Sequence, residues 1–292
     1  MKKIIGVLSA LLMIISAVAQ DQLNTITTSV PFLLIGPDAR AGAMGDVGVA
    51  TTPDVNSMHW NPAKFAFIEN DLGVSISFVP WLRALVNDIN LSYLTGYKKI
   101  GDNQAVGFEL GYFSLGQITF TDVNGGLLGN YTPKEYLVGS AYSRKLSREF
   151  SMSIGGKYIL SDLTGGQSAG GIPTAAGKSF AADISGYYTK PIRIGGKDMD
   201  LAIGGNISNI GSKIKYTETS TRDFIPINLR LGSSLETDID DYNKIALAFD
   251  LNKLLVPTPP KYDENGEIVE GKDPDVGVVT GIFQSFGDAP GG

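Results

Sequence analysis

Short segments in which large apolar residues alternate with small or polar ones recur along this chain, and they restrict its fold more than any other feature. Between residues 105 and 113, apolar side chains at every second position alternate with Gly107, Glu109 and Gly111. The same period of two recurs in three later segments, 150–158, 227–231 and 245–252. Because an extended strand points successive side chains to opposite faces, each segment predicts a β-strand with one apolar face.

The second face of these strands is filled largely by glycine, serine, alanine and asparagine, with few charges. A soluble β-sandwich also alternates, so the period alone leaves that architecture open. Small polar residues nevertheless favour the crowded, partly wet lumen of a membrane barrel over a face in bulk water. Tyr97, Tyr112, Tyr142 and Tyr158 lie toward strand ends, where they are either headgroup-level aromatics or ordinary strand residues.

Amino-acid composition excludes several kinds of function and one kind of membrane protein. The chain has no cysteine, 18% charged residues and a formal net charge of −6. Thiol chemistry is therefore excluded, and no basic patch is available for nucleic acid. After residue 20, no run approaches the ~18 consecutive apolar residues of a transmembrane helix. If the mature chain crosses a membrane, it must do so as a closed β-barrel, because only a helix or a closed barrel pairs every backbone polar group.

The first 19 residues have the features of a secretory signal peptide. Lys2 and Lys3 precede an uncharged apolar run at 4–18, and the small residues Ala17 and Ala19 suit signal peptidase. The alternative, a membrane-spanning helix, needs about 20 apolar residues, which is more than this run supplies. We predict cleavage before Gln20 and export of the mature chain.

Ten strands are predicted from the alternation, at 72–79, 88–97, 105–113, 136–144, 150–159, 180–189, 200–209, 226–235, 243–252 and from about 276. The connections between them are alternately short and long, except that 80–87 is short where a long one is due. Outer-membrane barrels have this asymmetry because their periplasmic turns are tight and their outer loops are extended. The long segments, including the acidic, proline-rich 256–274, should therefore face the cell exterior.

Residues 20–71 do not alternate and are rich in glycine, proline and small polar residues. Such a segment makes a poor strand and a poor long helix. We therefore predict a signal peptide at 1–19, a compact N-terminal hatch or plug at 20–71, and a transmembrane β-barrel at 72–292.

One run in this hatch carries a family resemblance. It extends from Asp38 through Gly45 to Ala50, and it is followed by Asn56 and by the four residues Trp60-Asn61-Pro62-Ala63. This run resembles the FadL-like outer-membrane family and, within it, the type IX secretion components. The resemblance implies an all-β, antiparallel transmembrane barrel of fourteen strands whose N-terminal segment folds back to plug the lumen.

The predicted strands are fewer than the resemblance implies. About ten are visible, and the chain stops at Gly292 without a closing strand. An open sheet leaves unpaired edges, which are costly in lipid. We therefore expect the barrel to be incomplete at its C-terminus, unless further strands escape the pattern.

Five hatch residues are candidates for a structural or gating role: Asp38, Arg40, Gly45, Asn61 and Pro62. Asp38 and Arg40 can pair inside a lumen of low dielectric. Asn61 can bond exposed backbone, and Pro62 can fix a turn before the first strand. No transport chemistry is assigned to these residues.

No catalytic, metal or cofactor site is predicted. His59 is the only histidine, so a hydrolase would have to use this one hatch residue as its base. One histidine without cysteine does not make a zinc site, and the acidic segment 263–267 lacks the spacing of an EF-hand. We expect a protein that is not an enzyme and binds no cofactor.

Two functions follow from the resemblance. In the first, the protein is an outer-membrane component of the type IX secretion system that binds the C-terminal signal domains of cargo. It would shuttle cargo from the large translocon barrel to the sortase-like surface-attachment complex, in contact with outer-membrane lipid and lipopolysaccharide. In the second, it is a FadL-like transporter of hydrophobic small molecules.

The connection after the first strand favours the first function. It contains Trp81, Leu82 and Leu85 and is unusually apolar for a surface loop. We predict that these side chains contact a protein partner, the alternative being an anchor in the outer-leaflet interface.

Overall fold

The computed structural model describes residues 25–121, 124–168 and 172–290, so the predicted signal peptide lies outside the described residues. Short helices precede the first strand: a 3-10 helix at Pro31–Leu34, α1 at Ala39–Ala43, α2 at Ser57–Trp60 and a second 3-10 helix at Pro62–Phe67. The strands are β1 (Leu72–Pro80), β2 (Ile89–Lys99), β3 (Gln104–Leu115), β4 (Ile118–Thr121), β5 (Leu127–Tyr131), β6 (Lys134–Lys145), β7 (Phe150–Asp162), β8 (Gly177–Ile194), β9 (Lys197–Gly211), β10 (Asn228–Asp238), β11 (Lys244–Leu254), β12 (Lys261–Tyr262) and β13 (Ile268–Glu270). Helix α3 spans Val278–Gln284.

The main sheet is a curled, antiparallel half-barrel of nine strands. Its order is β1-β2-β3-β6-β7-β8-β9-β10-β11, so every strand pairs with its neighbours in the chain once the small hairpins are set aside. The hairpins β4–β5 and β12–β13 are separate two-stranded sheets. The prediction of an all-β, antiparallel transmembrane barrel is confirmed.

Nine of the ten predicted strands are present in the described sheet, while the tenth, predicted from about 276, is wrong. Helix α3 occupies that position. Gly281 of the helix and Ser285 at its C-cap, four residues apart, are buried against the protein. Side chains at this spacing share a helical face, and that face, rather than a period of two, is what the segment buries.

Connection lengths differ between the two ends of the sheet. One end, which we call the short-turn end, carries the connections 100–103, 146–149, 195–196 and 239–243. The other, the long-loop end, carries 81–88, 116–133, 163–176, 212–227 and the residues after 254. The predicted alternation of short and long connections is present, including its exception at 81–88.

Burial across the sheet is the reverse of that in a soluble β-sandwich, because the apolar face is exposed and the polar face is buried. In β3, Val106, Phe108 and Leu110 are 38%, 38% and 43% exposed on the convex face, whereas Glu109 on the concave face is 1% exposed. Other strands follow the same rule, with exposed outward side chains at Ile76, Val138, Ile154, Phe180, Ile203, Leu231, Leu247 and Phe249. An apolar outer band around a polar interior is the arrangement of a membrane barrel.

The helices among the described residues are short. In the part of the chain that the structure describes, none is long and apolar enough to cross a bilayer.

Residues 25–71 lie against the concave face of the sheet. Near the long-loop end, Val30 and Phe32 are buried with apolar side chains from five strands and from the loops, including Leu91, Phe113 and Ile159. The second 3-10 helix packs against β3, β6, β7 and β8 nearer the short-turn end. Burial of each large apolar side chain in this way contributes about 1.5–3 kcal/mol to stability, so hydrophobic contacts help to keep the segment against the sheet.

Candidate functional site in the barrel lumen

Asn61 lies at the centre of the concave face and is fully buried. Its side-chain oxygen accepts a hydrogen bond from the backbone of Ala63 and so caps the second 3-10 helix. Its amide donates to the carbonyl oxygen of Val49 at 2.8 Å and to that of Gly186 at 3.0 Å. One side chain therefore joins two parts of the N-terminal segment to strand β8.

Small polar side chains of the sheet complete the attachment by donating to backbone carbonyls of the N-terminal segment. The donors come from four strands: Ser143 to Pro62 at 2.6 Å, Ser151 to Ala63 at 2.7 Å, Asn206 to Trp60 at 3.0 Å and Ser234 to Ala50 at 2.7 Å. Each such bond contributes about 1 kcal/mol, and each would leave a buried unpaired group if lost. The polar inward face thus binds the backbone of the N-terminal segment.

Glycine permits the closest approach between the two layers. A Cβ atom at Gly204 of β9 would lie 2.1 Å from the carbonyl oxygen of Val49. A Cβ at Gly107 of β3 would lie 2.6 Å from the ring of Phe65. Some of the glycine on the inward face is therefore required by contact with the N-terminal segment.

Asp38 is buried and partners the N-terminal segment itself. One carboxylate oxygen accepts from the backbone of Ala41, capping α1, and the other accepts from the indole nitrogen of Trp60 at 2.7 Å. The guanidinium of Arg230 lies over the same indole, 4.6 Å from the ring centroid. A cation over a tryptophan face is attracted by the ring quadrupole, so Trp60 links α1 to β10.

The expected pair of Asp38 and Arg40 is not formed. Arg40 is exposed and pairs with Asp54 at 2.6 Å. The reason is helical geometry: Asp38 caps α1, which turns the side chain two residues later away from it.

Gly45 follows the end of α1 with φ of +79°, a conformation that side chains disfavour. Pro62 opens the second 3-10 helix.

A second polar cluster crosses the lumen between three strands. Lys157 of β7 lies 2.7 Å from Asp183 of β8 and 3.6 Å from Glu109 of β3, and all three are buried or nearly so. Tyr93 donates to Glu109 at 2.6 Å, and the backbone of Asn209 donates to Asp183 at 2.8 Å. The period of two predicted Glu109 on the polar face of its strand but could not bring it together with Lys157, because strand register was unknown.

Edge strand β11 also holds the N-terminal segment. A carboxylate oxygen of Asp250 accepts hydrogen bonds from the backbone of Gly48 at 2.8 Å and of Val49 at 3.0 Å. The segment is therefore bonded to each strand from β6 to β10 and to β11 at the edge of the sheet.

The pKa values of two titratable groups in the N-terminal segment are lowered by burial. Burial lowers the pKa of Lys64 to about 8, although its ammonium donates to the carbonyl oxygen of Gly48. Desolvation in the lumen, followed by the positive charges of Arg230 and Lys157, holds the pKa of His59 well below 6.5. His59 is thus held neutral beside an arginine, an arrangement that serves packing and hydrogen bonding.

The apolar connection after β1 lies at the long-loop end. Trp81, Leu82, Leu85 and Val86 are 39%, 50%, 80% and 39% exposed. Leu82 has φ of +52°, which is uncommon for a leucine, and its carbonyl accepts from the backbone of Leu85 and Val86 in a tight turn. The turn presents these apolar side chains outward and leaves them uncovered.

Residues 25–121, 124–168 and 172–290 contain no group of three or more histidine, cysteine or acidic side chains arranged to hold a metal ion.

Inverted burial, a curled antiparallel sheet and an N-terminal segment bonded across the concave face define a membrane β-barrel of the filled-lumen type. A family model described as "Type IX secretion system protein PorV" matches residues 17–261, and the chain belongs to that family. The protein is accordingly a component of the type IX secretion system, and PorV is not a known enzyme family. No curated protein matches the chain.

Proposed function

We propose that this component sits in the outer membrane, binds the C-terminal signal domains of secreted proteins, and passes them from the large translocon barrel to the sortase-like surface-attachment complex. Membership of the PorV family over residues 17–261 carries this proposal. The apolar outer band of the sheet supports the membrane location, and the difference in connection lengths supports placing the long-loop end outside the cell.

The proposal includes three functional parts. Residues 1–19 act as a cleaved signal peptide, 20–71 as a plug, and 72–292 as the barrel. The buried hydrogen bonds of Asn61 support the plug, because leaving the lumen would break them and strip their partners of donors.

A filled lumen favours protein handling over transport of hydrophobic small molecules. The concave face is bonded to the N-terminal segment from β8 to β11. An apolar cluster around Phe32 fills the long-loop end. We therefore propose that exchange with partners takes place on the loops of this end and that the plug remains seated.

Trp81, Leu82 and Leu85 are the proposed contact with the translocon. Exposed apolar groups at an interface gain free energy when a partner covers them, and tryptophan is prominent among residues that dominate binding. Replacing Trp81 and Leu82 with serine should lower recovery of the translocon in a pull-down from detergent extracts about tenfold or more.

The matched control for this change is Tyr242→Ser. Tyr242 is 95% exposed at the short-turn end, so its loss removes a large exposed side chain on the opposite side of the barrel. The control should leave translocon recovery unchanged. Unchanged recovery with the Trp81 and Leu82 variant would remove this loop from the interface.

A deletion strain separates the two functions directly. If the protein delivers cargo, a reporter carrying a C-terminal signal domain should fail to reach the cell surface, while fatty-acid uptake stays normal. Surface delivery that persists while uptake falls would refute the secretion role. Complementation with the intact chain is the control in both assays.

A further inference from the structure

Helix α3 exposes an apolar face that nothing in the described residues covers. Val279, Phe283 and Phe286 are 67%, 74% and 62% exposed, and their spacing places them on one side of the helix and its last turn. The opposite side packs on the protein: Gly281 is buried so closely against Phe224 that a Cβ atom would lie 2.7 Å from its ring. The helix is therefore fixed in place with its aromatic side turned away from the protein.

Aromatic side chains line the convex face of the sheet near the long-loop end. Tyr112 of β3 and Tyr136 of β6 lie with ring centroids 5.2 Å apart, and Tyr158 of β7 and Phe180 of β8 lie 5.0 Å apart. Membrane barrels carry such a girdle at the level of the lipid headgroups, where a ring is favoured beside both water and acyl chains.

The girdle is interrupted over the last three strands of the sheet. Strands β9 and β10 contain no aromatic residue, and β11 contains only Phe249, in mid-strand. Near their long-loop ends the outward positions are held by Ile207, Leu229 and Lys253. By itself, this part of the sheet lacks an aromatic anchor on that side of the membrane.

Helix α3 lies at this gap. Lys253 is the last outward-facing residue of β11, following Leu251, Phe249 and Leu247 along the same exposed stripe. The ammonium of Lys253 lies 5.3 Å from the ring centroid of Phe286. The aromatic side of α3 therefore meets the exposed stripe of β11 at Phe286.

We propose that α3 rests in the lipid interface and supplies the aromatic side chains that β9, β10 and β11 lack. Phe283 and Phe286 enter the boundary between headgroups and acyl chains, and Lys253 beneath them faces lipid phosphate. Continuity with the lipid-facing stripe identifies lipid, rather than a protein, as the occupant. This inference rests on the proposed membrane location.

Single-cysteine variants test it, because the natural chain has no cysteine and each introduced thiol is unique. Phe283→Cys, Phe249→Cys and Asn265→Cys are each labelled with an environment-sensitive fluorophore. The full chain is then reconstituted in vesicles of phosphatidylcholine and phosphatidylglycerol that contain spin-labelled lipid. The Phe283 probe should show blue-shifted emission and lose more intensity to a quencher near the headgroup than to one deep in the acyl region. The Phe249 probe should show the reverse preference, and the Asn265 probe, on the exposed tip between β12 and β13, should emit as in water.

The outcomes are distinct. A Phe283 probe that emits as in water and is quenched by aqueous iodide, while the Phe249 probe is quenched by the deep label, overturns the inference and leaves the membrane location standing. A Phe283 probe shielded from iodide but untouched by either lipid label also overturns it, because a protein surface then covers the helix. A Phe249 probe that no lipid label quenches contradicts the membrane location and the inference together.

Discussion

Asn61 illustrates how much of this structure depends on single polar side chains in the lumen. A hatch asparagine that bonds backbone could be proposed from the sequence, but its partners Val49 and Gly186 could not, since one lies in an irregular segment and the other 125 residues away. The same limit applies to Asp38, whose position at the start of α1 decides its bonds and separates it from Arg40.

Replacing Asn61 with alanine removes a helix cap and two buried donors. The carbonyl oxygens of Val49 and Gly186 would be left without this donor, so the free energy of unfolding should fall by about 2–4 kcal/mol. Denaturant titration in detergent, followed by tryptophan fluorescence, measures the change. Asn103→Ala, in an exposed turn of the short-turn end, is the control and should cost less than about 0.5 kcal/mol. Equal stability of the two variants would contradict the role given to Asn61.

His59 should make stability depend on pH below neutrality. Its pKa in the folded protein lies well below 6.5, so the unfolded chain takes up a proton there before the folded one does. The contribution of neutral His59 to the free energy of unfolding is therefore complete above pH 6.5. It is lost as the pH falls, by up to about 1.4 kcal/mol per pH unit.

The measurement compares unfolding free energies of the natural chain and of His59→Gln from pH 7.5 to 5. Other groups titrate equally in both proteins, so the difference between the two isolates the histidine. The natural chain should lose stability relative to the variant as the pH falls. Parallel curves, or a histidine proton resonance that titrates near 6.5, would show that His59 is not held neutral.

At the scale of elements, the strands were predictable and their register was not. A period of two is a local property, so nine strands of the sheet follow from it. Register depends on contacts between strands, which is why the group of Lys157, Asp183 and Glu109 was not foreseen. The final helix was missed for a related reason. Its buried face is defined by contact with Phe224, which lies in another part of the chain and leaves no local signal near residue 276.

The charged group across β3, β7 and β8 should behave as a unit. Lys157→Met leaves Glu109 and Asp183 buried without their cation and should lower stability by about 3–5 kcal/mol. Adding Glu109→Gln and Asp183→Asn removes both unpaired charges and should restore most of the loss. Denaturant titration of the single and triple variants measures their free energies of unfolding and tests this expectation. A triple variant no more stable than the single one would show that the loss comes from packing rather than from charge.

At the scale of the whole molecule, alternation with small polar residues on one face already favoured a barrel over a sandwich. Burial in the structure confirms that distinction, because Phe108 and Leu110 are exposed while Glu109 is buried. The composition of residues 20–71 predicted a compact hatch or plug, but that this segment folds back into the lumen was implied only by the family resemblance. Its bonds reach from Asn61 to β8 and from Asp250 back to Val49, over separations of 125 and 201 residues that no local pattern encodes.

We infer that this secretion component works on its loops while the N-terminal segment stays seated in the lumen. Locking that segment to the sheet is the direct test. Ser234 of β10 bonds the backbone of Ala50 at 2.7 Å, and a chain without cysteine allows the pair Ala50→Cys and Ser234→Cys to form one defined disulfide.

The locked protein is expressed in a deletion strain, the disulfide is verified by mass analysis, and surface delivery of a reporter with a C-terminal signal domain is measured. Delivery should match that of the natural chain whether the bond is oxidised or reduced. Delivery that stops on oxidation and returns on reduction would show that the segment must leave the lumen, and it would contradict the account.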